Sequence, residues 1–217
     1  HKQVLPLVDA KIALSKDNYT TDKFNKRITN KYSEKITHFL RSQYNCIISS
    51  SKSINLDNSI LNCRIYGLEK KSPDLVILDR NLKLKKNLTM FNLKIKRKII
   101  LFTCKKNKKK ILFFKKKGIK IIIVKSLTTK NDFIFLFKKL KEMMYNRIFI
   151  EAGLNLLNFL IKERLVDNLF FFKSNKKLGK NGLNFGCSKF LKNLKFKNKI
   201  QVNLFNDTLF KEKLKNV

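Results

Sequence analysis

Histidine is nearly absent from this chain. His1 and His38 are the only two, which is too few for a His-based metal site. A Ser-His-Asp triad also needs a histidine placed among its partners, and no such set of residues is recognisable. The sequence therefore predicts neither a bound metal nor a triad hydrolase.

Cysteine pairs and long apolar runs are also missing. Cys46, Cys63, Cys104 and Cys187 are far apart and form no C-x-x-C motif, and nothing resembles a secretory signal. The longest apolar runs, such as Ile119 to Val124, fall well short of the ~20 residues that a membrane span needs. We therefore expect a soluble cytoplasmic protein with reduced thiols and no membrane partner.

Acidic residues are scarce, with 15 against 50 Lys and Arg, so the formal net charge is +35. Such a charge first suggests a nucleic-acid partner. However, only 7 of the basic residues are Arg, whose planar fork suits phosphates and base edges better than an ammonium does. Abundant Lys, Asn, Ile and Phe with little Gly, Pro or Trp is typical of an A+T-rich genome. We therefore expect no nucleic-acid partner.

Short apolar runs and helical patterns alternate along the chain, which favours an α/β fold. We predict one domain, residues 1–217, with a mostly parallel central sheet flanked by helices and antiparallel strands at the C-terminus. The Ser49–Ser59 stretch is predicted to be a polar loop, and His38 to lie on the polar side of a helix that starts at Asn30. The predicted strands are Leu5–Leu14, Cys46–Ile48, Asp74–Asp79, Ile99–Phe102, Ile119–Val124, Ile148–Ile150 and Leu165–Phe172. Further helices are predicted within Lys105–Lys117, from Asn131 or Asp132, and after Gly153, with a closing hairpin of Leu194–Phe196 and Ile200–Phe205.

The stretch from Ile148 to Leu157 reads as a buried strand, a carboxylate at Glu151, a glycine turn and an amphipathic helix. In open α/β sheets, ligands bind beyond the carboxyl ends of the strands, and the N–H groups at a helix start attract phosphate. A single glycine after a strand is more often only a turn residue, and no G-x-G-x-x-G motif is present. The stretch alone leaves both interpretations open.

Two basic residues raise similar alternatives. Arg64 is notable because this chain uses Lys nearly everywhere, and bidentate phosphate binding is one task for which Lys is a poor substitute. Lys11 lies in a predicted strand, where a solvated side chain is the simpler interpretation.

Several fragments fit one known pattern when they are taken in order. They are Lys11–Asp17 (family K-x-A-x-S-x-D-G), Arg27–Thr29 (family W-I-T), Leu40-Arg41, Ser50–Arg64, Val76–Asp79, Ile150–Gly153, Leu165–Leu169 and Leu178-Gly179. This ordered set resembles the pyrimidine reductase of riboflavin biosynthesis. That family has a dihydrofolate-reductase-like fold, and in many bacteria it follows a zinc deaminase in one bifunctional protein.

The resemblance implies NADPH-dependent reduction of 5-amino-6-(5-phosphoribosylamino)uracil, a phosphorylated pyrimidine, to its ribitylamino counterpart. It also implies a homodimer. Substrate contacts would come from Arg41, Leu61, Arg64 and Glu151, and catalytic proton exchange from Lys11, Asp57 or Glu151. Cofactor contacts would come from Ala13, Ser53, Asp57, Gly153, Leu154, Asn155, Leu156, Leu157, Asn158 and Phe159.

The sequence departs from the family pattern at several positions. Asn18 replaces the usual glycine, Arg27 replaces an aromatic residue that meets NADPH, and Asn58-Ser59 replaces Asp-Pro. The deaminase signatures H-x-E and P-C-x-x-C do not occur, so we expect a chain that only reduces and that depends on a separate upstream deaminase. Two alternatives are kept: a related reductase of another pterin or pyrimidine, and a non-catalytic basic nucleic-acid-binding protein.

Overall fold

A computed structural model describes residues 5–24, 27–93, 96–186 and 196–214. The chain divides into two compact units. Unit 1 comprises His1–Pro6 and Arg41–Ile148, and unit 2 comprises Leu7–Leu40 and Phe149–Val217. Within the described ranges, no helix is long and apolar enough to cross a bilayer.

Helices and short strands alternate along most of the chain. The strands are β1 (Leu7–Leu14), β2 (Thr21–Asp22), β3 (Cys46–Ser50), β4 (Asp74–Leu78), β5 (Ile99–Thr103), β6 (Lys120–Ile123), β7 (Arg147–Ile150), β8 (Asn168–Lys173), β9 (Gly182–Leu183), β10 (Lys199–Ile200) and β11 (Thr208–Lys213). The helices are α1 (Lys31–Ser42), α2 (Ser51–Asp57), α3 (Lys108–Lys116), α4 (Lys130–Glu142) and α5 (Leu154–Lys162).

Unit 1 contains four parallel strands in the order β3-β4-β5-β6. The apolar runs of β3, β4 and β5 are almost completely buried, as expected for parallel strands that are covered on both faces, whereas β6 is partly exposed, with Ile123 45% exposed. Two helices contribute large core side chains: Phe114 from α3, and Phe137 and Leu140 from α4. The helix-and-strand alternation in the sequence therefore corresponds to parallel strands joined through crossover helices.

Unit 2 combines parallel and antiparallel pairing. β1 lies parallel to β8, with Asp9 opposite Asn168 and Leu14 opposite Lys173. β11 runs antiparallel to β8, and β10 antiparallel to β11. The predicted fold class, an α/β fold with mostly parallel pairing and antiparallel strands near the C-terminus, is confirmed.

The prediction of a polar loop over Ser49–Ser59 is wrong, because α2 occupies most of it. Ser50 caps this helix, since its hydroxyl accepts a hydrogen bond from the Ser53 amide at 3.1 Å. Ile54 is completely buried, and Asn58 ends the helix in the left-handed conformation. One buried isoleucine and a serine cap outweigh the polar composition on which the prediction rested.

The predicted closing hairpin is wrong in the residues that form it. The hairpin consists of Lys199–Ile200 and Thr208–Lys213 rather than Leu194–Phe196 and Ile200–Phe205, and its second strand also pairs with β8. Glu212 stabilises this arrangement by accepting hydrogen bonds from the backbone N–H groups of Lys197 and Asn198. Leu194 lies outside the described residues.

Two local predictions about helices are corrected as well. His38 is 5% exposed rather than solvated, because α1 buries the side chains of Ser33, Thr37, His38 and Arg41, which recur at helical spacing. α4 is capped by Thr129, which forms a capping box with Asp132, so neither Asn131 nor Asp132 is the cap.

Asp79→Asn is expected to lower the free energy of unfolding by about 2 kcal/mol. Asp79 is 2% exposed and accepts hydrogen bonds from the Ser51 hydroxyl and from the N–H groups of Lys83 and Leu84 at 2.7–2.8 Å. An amide would turn an NH₂ group toward one of these donors. Urea unfolding checks the loss, and Asp132→Asn at an exposed helix start is the control that should cost less.

Candidate functional site

Arg41 and Arg64, both predicted to contact substrate, meet at one residue in unit 1. Arg41 lies in the last turn of α1 and is 9% exposed. Its Nη1 donates a hydrogen bond to the Asn62 carbonyl oxygen at 3.0 Å. Arg64 is exposed, and its Nη1 lies 3.4 Å from the Asn62 side-chain oxygen. Two guanidinium groups on one short segment can bind an anion.

The segment before Asn62 has an unusual backbone. Leu61, also predicted to contact substrate, is 7% exposed and has a φ of 57°, in the left-handed region that non-glycine residues seldom adopt. Such conformations concentrate at ligand sites, where the surroundings enforce them. The structure thus shows that Leu61, one residue before the Asn62 that both arginines contact, has a constrained backbone.

Arg97 was missed by sequence reasoning. Its Nη1 donates hydrogen bonds to the carbonyl oxygens of Leu61 at 2.8 Å and Pro73 at 3.3 Å, and its Nη2 donates to that of Ile60. Burial and then the nearby Arg41 charge lower the pKa of Arg97 to about 10, against the attraction of Asp74. The scarcity of Arg, which drew attention to Arg64, was a signal that applied equally to Arg97.

Ser53 and Asp57 lie on α2 in unit 1. The Ser53 hydroxyl is 3.0 Å from that of Ser50, and Ser53 is half-buried. Asp57 is exposed in the last turn of the helix. The side-chain NH₂ of the following Asn58 donates a hydrogen bond to the Thr89 hydroxyl at 2.6 Å, and the Asn58 side-chain oxygen accepts one from the Thr89 backbone N–H at 2.9 Å. The replacement of the usual Asp-Pro by Asn58-Ser59 therefore retains a well-anchored helix end.

Lys11 and Ala13 lie on the same face of β1 in unit 2, because side chains two apart in a strand point the same way. Both residues are half-buried. The Lys11 ammonium lies 5.4 Å from the ring centroid of Phe172, within the range of a cation–π interaction. Lys11 is therefore placed by the neighbouring strand rather than extended into solvent.

The predicted cofactor stretch forms the end of β7 and the start of α5. Gly153 is the N-cap, with φ −66° and ψ 163°, and as a glycine it supplies no side-chain cap of its own. Leu154 and Leu157 are buried, whereas Gly153 and Asn155 are exposed and Leu156, Asn158, Phe159 and Glu151 are half-buried. The first turn contains no acidic residue. Its N–H groups, more than its leucine side chains, are suited to meet an anion.

The glycine of a second loop approaches this helix start. A Cβ added at Gly186 would lie 2.5 Å from the Asn155 side-chain oxygen and 2.9 Å from the Leu154 Cβ. Only a residue without a side chain fits there. The helix start therefore has a close backbone neighbour within unit 2.

Asp17 connects two loops of unit 2, and both loops contain residues that match the family pattern. Its carboxylate accepts hydrogen bonds from the Ser15 hydroxyl and from the N–H groups of Leu178 and Gly179, at 2.7–3.2 Å. Burial opposes ionisation, but these hydrogen bonds prevail and lower the pKa of Asp17 to about 2. Asn18 has a φ of 67°, and its side chain accepts a hydrogen bond from the Lys173 ammonium at 2.7 Å. Asparagine thus keeps the backbone conformation that glycine would supply.

Asp17→Asn is expected to reduce stability by about 1 kcal/mol at neutral pH. A carboxyl whose pKa is lowered on folding stabilises the fold above its ordinary pKa, and this stabilisation is lost as the pH falls through the folded value. The difference between wild type and variant should therefore be constant above about pH 4 and shrink toward pH 2. Thermal unfolding across this pH range measures it, and a difference that does not change with pH would contradict the carboxylate's role.

Arg27, which replaces an aromatic residue of the family, pairs with Glu34 at 2.7 Å and is largely exposed. It borders a pocket of about 540 Å³ in unit 2 that none of the predicted site residues lines. In this pocket the Asp207 carboxylate accepts hydrogen bonds from the Asn30 backbone N–H and the Ser33 hydroxyl, so it fixes the start of α1. The pocket is lined by Arg27, Ile28, Thr29, Asn30, Ser174, Asn175, Lys176, Asn206 and Asp207.

Comparisons with known proteins agree on one family. The family described as RibD C-terminal domain matches residues 6–209. The riboflavin biosynthesis protein RibD of Aquifex aeolicus is 29% identical over 162 residues, which is 75% of this chain but only 43% of that protein. The 5-amino-6-(5-phosphoribosylamino)uracil reductase of Buchnera aphidicola is 30% identical over 166 residues, 71% of this chain and 77% of that protein.

A solved structure shows the same fold. The riboflavin biosynthesis reductase of Saccharomyces cerevisiae superposes with a TM-score of 0.76 at 21% identity, and the match covers 99% of this chain and 92% of that one. At this identity the likeness concerns the fold alone. The resemblance found in the sequence is thus confirmed by the family match.

Proposed function

Because the chain belongs to the RibD C-terminal domain family, we propose that it reduces 5-amino-6-(5-phosphoribosylamino)uracil to 5-amino-6-(5-phosphoribitylamino)uracil with NADPH. The Buchnera relative, at 30% identity, carries the name of this reductase. The chain spans less than half of the length of the Aquifex RibD protein. The proposal includes a deaminase that acts upstream and supplies the substrate, as the resemblance implies. A homodimer of this chain is also part of the proposal.

The observation that carries this proposal is the meeting of Arg41 and Arg64 at Asn62. The proposed substrate has a phosphate on its sugar, and guanidinium groups bind phosphate through short charge-assisted hydrogen bonds. Arg41 is buried and held in place, whereas Arg64 is exposed and can close on a ligand. Leu61 would contact the substrate beside them.

The start of α5 suits the pyrophosphate of the cofactor. Its N-cap residue is a glycine, and its first turn contains no acidic residue that would repel an anion. Within unit 2, Ala13 and residues Gly153 to Phe159, which the resemblance assigns to the cofactor, would contact NADPH, which supplies the hydride when bound. Helix dipole and N–H groups together favour the negative charge there.

Reduction also requires a proton at the substrate. The closed ribosylamine opens to an imine, which accepts hydride at the sugar carbon while a nitrogen or ring oxygen exchanges a proton. A positioned ammonium or carboxylate can serve this exchange. Lys11, Asp57 and Glu151 are the candidates, and the ammonium of Lys11 lies over the ring of Phe172. Unchanged turnover in Lys11→Met would remove it from this set.

Oxidation of NADPH by the purified chain, followed by absorbance, tests the proposal. The substrate is prepared enzymatically, and NADH is run in parallel. Substrate-dependent oxidation of NADPH is the expected result. No oxidation by folded protein, together with activity on a dihydropterin, would instead favour a related reductase, and salt-sensitive RNA binding without any reduction would favour the nucleic-acid alternative.

A further inference from the structure

Three of the seven arginines contact one segment of three residues, Ile60 to Asn62. Arg41 and Arg64 reach Asn62, and Arg97 reaches the two carbonyl groups before it. Burial and, after it, the nearby Arg41 charge lower the pKa of Arg97, and three cations on so short a segment repel one another. A bound anion would offset this repulsion.

We infer that Arg97 is a positioning residue of the proposed phosphate site. It holds the Ile60–Asn62 segment through the backbone, and in this way sets where Arg41 and Arg64 present their guanidinium groups. This inference rests on the function proposed above and assigns a role to a residue outside the predicted site. Arg97 itself acts through the segment and does not touch the substrate.

The hydrogen bonds of Arg97 suit a guanidinium in particular. Carbonyl oxygens only accept, and Arg97 offers donors to three of them, those of Ile60, Leu61 and Pro73. These residues come from two separate parts of the chain, so the planar fork connects the segment to the residue that precedes β4. A lysine ammonium is a compact donor on a flexible stem and holds such a set less rigidly.

The backbone of Leu61 explains why this segment needs a clamp. A non-glycine residue in the left-handed region is strained, and it persists where surrounding contacts enforce that conformation. The Leu61 carbonyl accepts from Arg97 at 2.8 Å while its side chain is buried. Without the guanidinium, Leu61 can relax toward an ordinary conformation, and Asn62 would turn away from Arg41.

The test compares Arg97→Lys with Arg164→Lys, an exposed arginine of unit 2 that serves as control. KM and kcat are measured for the phosphorylated substrate and for the same compound after removal of its phosphate. In Arg97→Lys, we expect KM for the phosphorylated substrate to rise about tenfold, with kcat and the NADPH KM nearly unchanged. KM for the dephosphorylated compound should not change, and Arg164→Lys should match wild type throughout.

A direct binding measurement separates this inference from the proposed reaction. Ribose 5-phosphate is titrated calorimetrically into wild type and Arg97→Lys without cofactor. If wild type binds it about tenfold more tightly than the variant, the inference stands even where the proposed reduction is not observed. Equal affinities of wild type and variant, or no binding by wild type, would overturn the inference. So would a rise in KM in Arg97→Lys that is equally large for the phosphorylated and the dephosphorylated substrate.

Discussion

Arg64→Met is expected to lower kcat/KM for the phosphorylated substrate about 100-fold, mostly through KM. Such a loss corresponds to one strong charge-assisted contact with phosphate. Arg64 is exposed, and its guanidinium donates a hydrogen bond to the neighbouring Asn62 side chain. Truncation at such a surface position should leave the free energy of unfolding within about 0.5 kcal/mol of wild type. Steady-state kinetics and urea unfolding check the two statements separately.

Two further variants show which property of Arg64 matters. Arg64→Lys keeps the charge but loses the fork, so it should fall between wild type and Arg64→Met. Arg164→Met removes one positive charge from an exposed site elsewhere and should leave kcat/KM unchanged. A similar loss in Arg164→Met would mean that net charge alone attracts the substrate, as in electrostatic steering. An Arg64→Met enzyme with unchanged KM would exclude Arg64 from phosphate binding.

Gly153→Asp is expected to weaken NADPH binding about 100-fold while the protein remains folded. A carboxylate at the N-cap of α5 would stand where the cofactor pyrophosphate is proposed to bind, and like charges about 5 Å apart repel by about 3 kcal/mol near a protein surface. The backbone of Gly153, at φ −66° and ψ 163°, is extended and open to any residue. Aspartate is moreover a good N-cap, so stability should not fall.

Gly153→Asn is the matched control, because asparagine caps a helix about as well as aspartate and carries no charge. Its NADPH affinity should stay within a few-fold of wild type. Fluorescence titration with NADPH measures both variants, and added salt should reduce the difference between them. If both variants lose affinity equally, the side chain obstructs the site by size; if neither does, the pyrophosphate binds elsewhere.

The order of elements followed from patterns that are local in sequence. The short apolar runs in β3, β4 and β5 predicted buried strands, and the spacing of apolar residues in α4 and α5 predicted one buried helix face. Errors arose where tertiary contacts outweighed composition. The polar stretch after β3 forms helix α2, which buries Ile54. The last strand is Thr208–Lys213, because these residues pair with β8. His38 was misplaced because α1 buries polar residues that hydropathy assigns to solvent.

The candidate site shows the same division. The sequence alone determined the family, because it contains the family's short motifs in order. It also singled out Arg64 as unusual in a lysine-rich chain, and the resemblance added Arg41. Only the tertiary structure decided that both reach Asn62, that Leu61 adopts a left-handed backbone, and that Arg97, 36 residues later, holds it. Sequence patterns report how each segment is buried, whereas a contact between distant segments depends on how the strands between them pair.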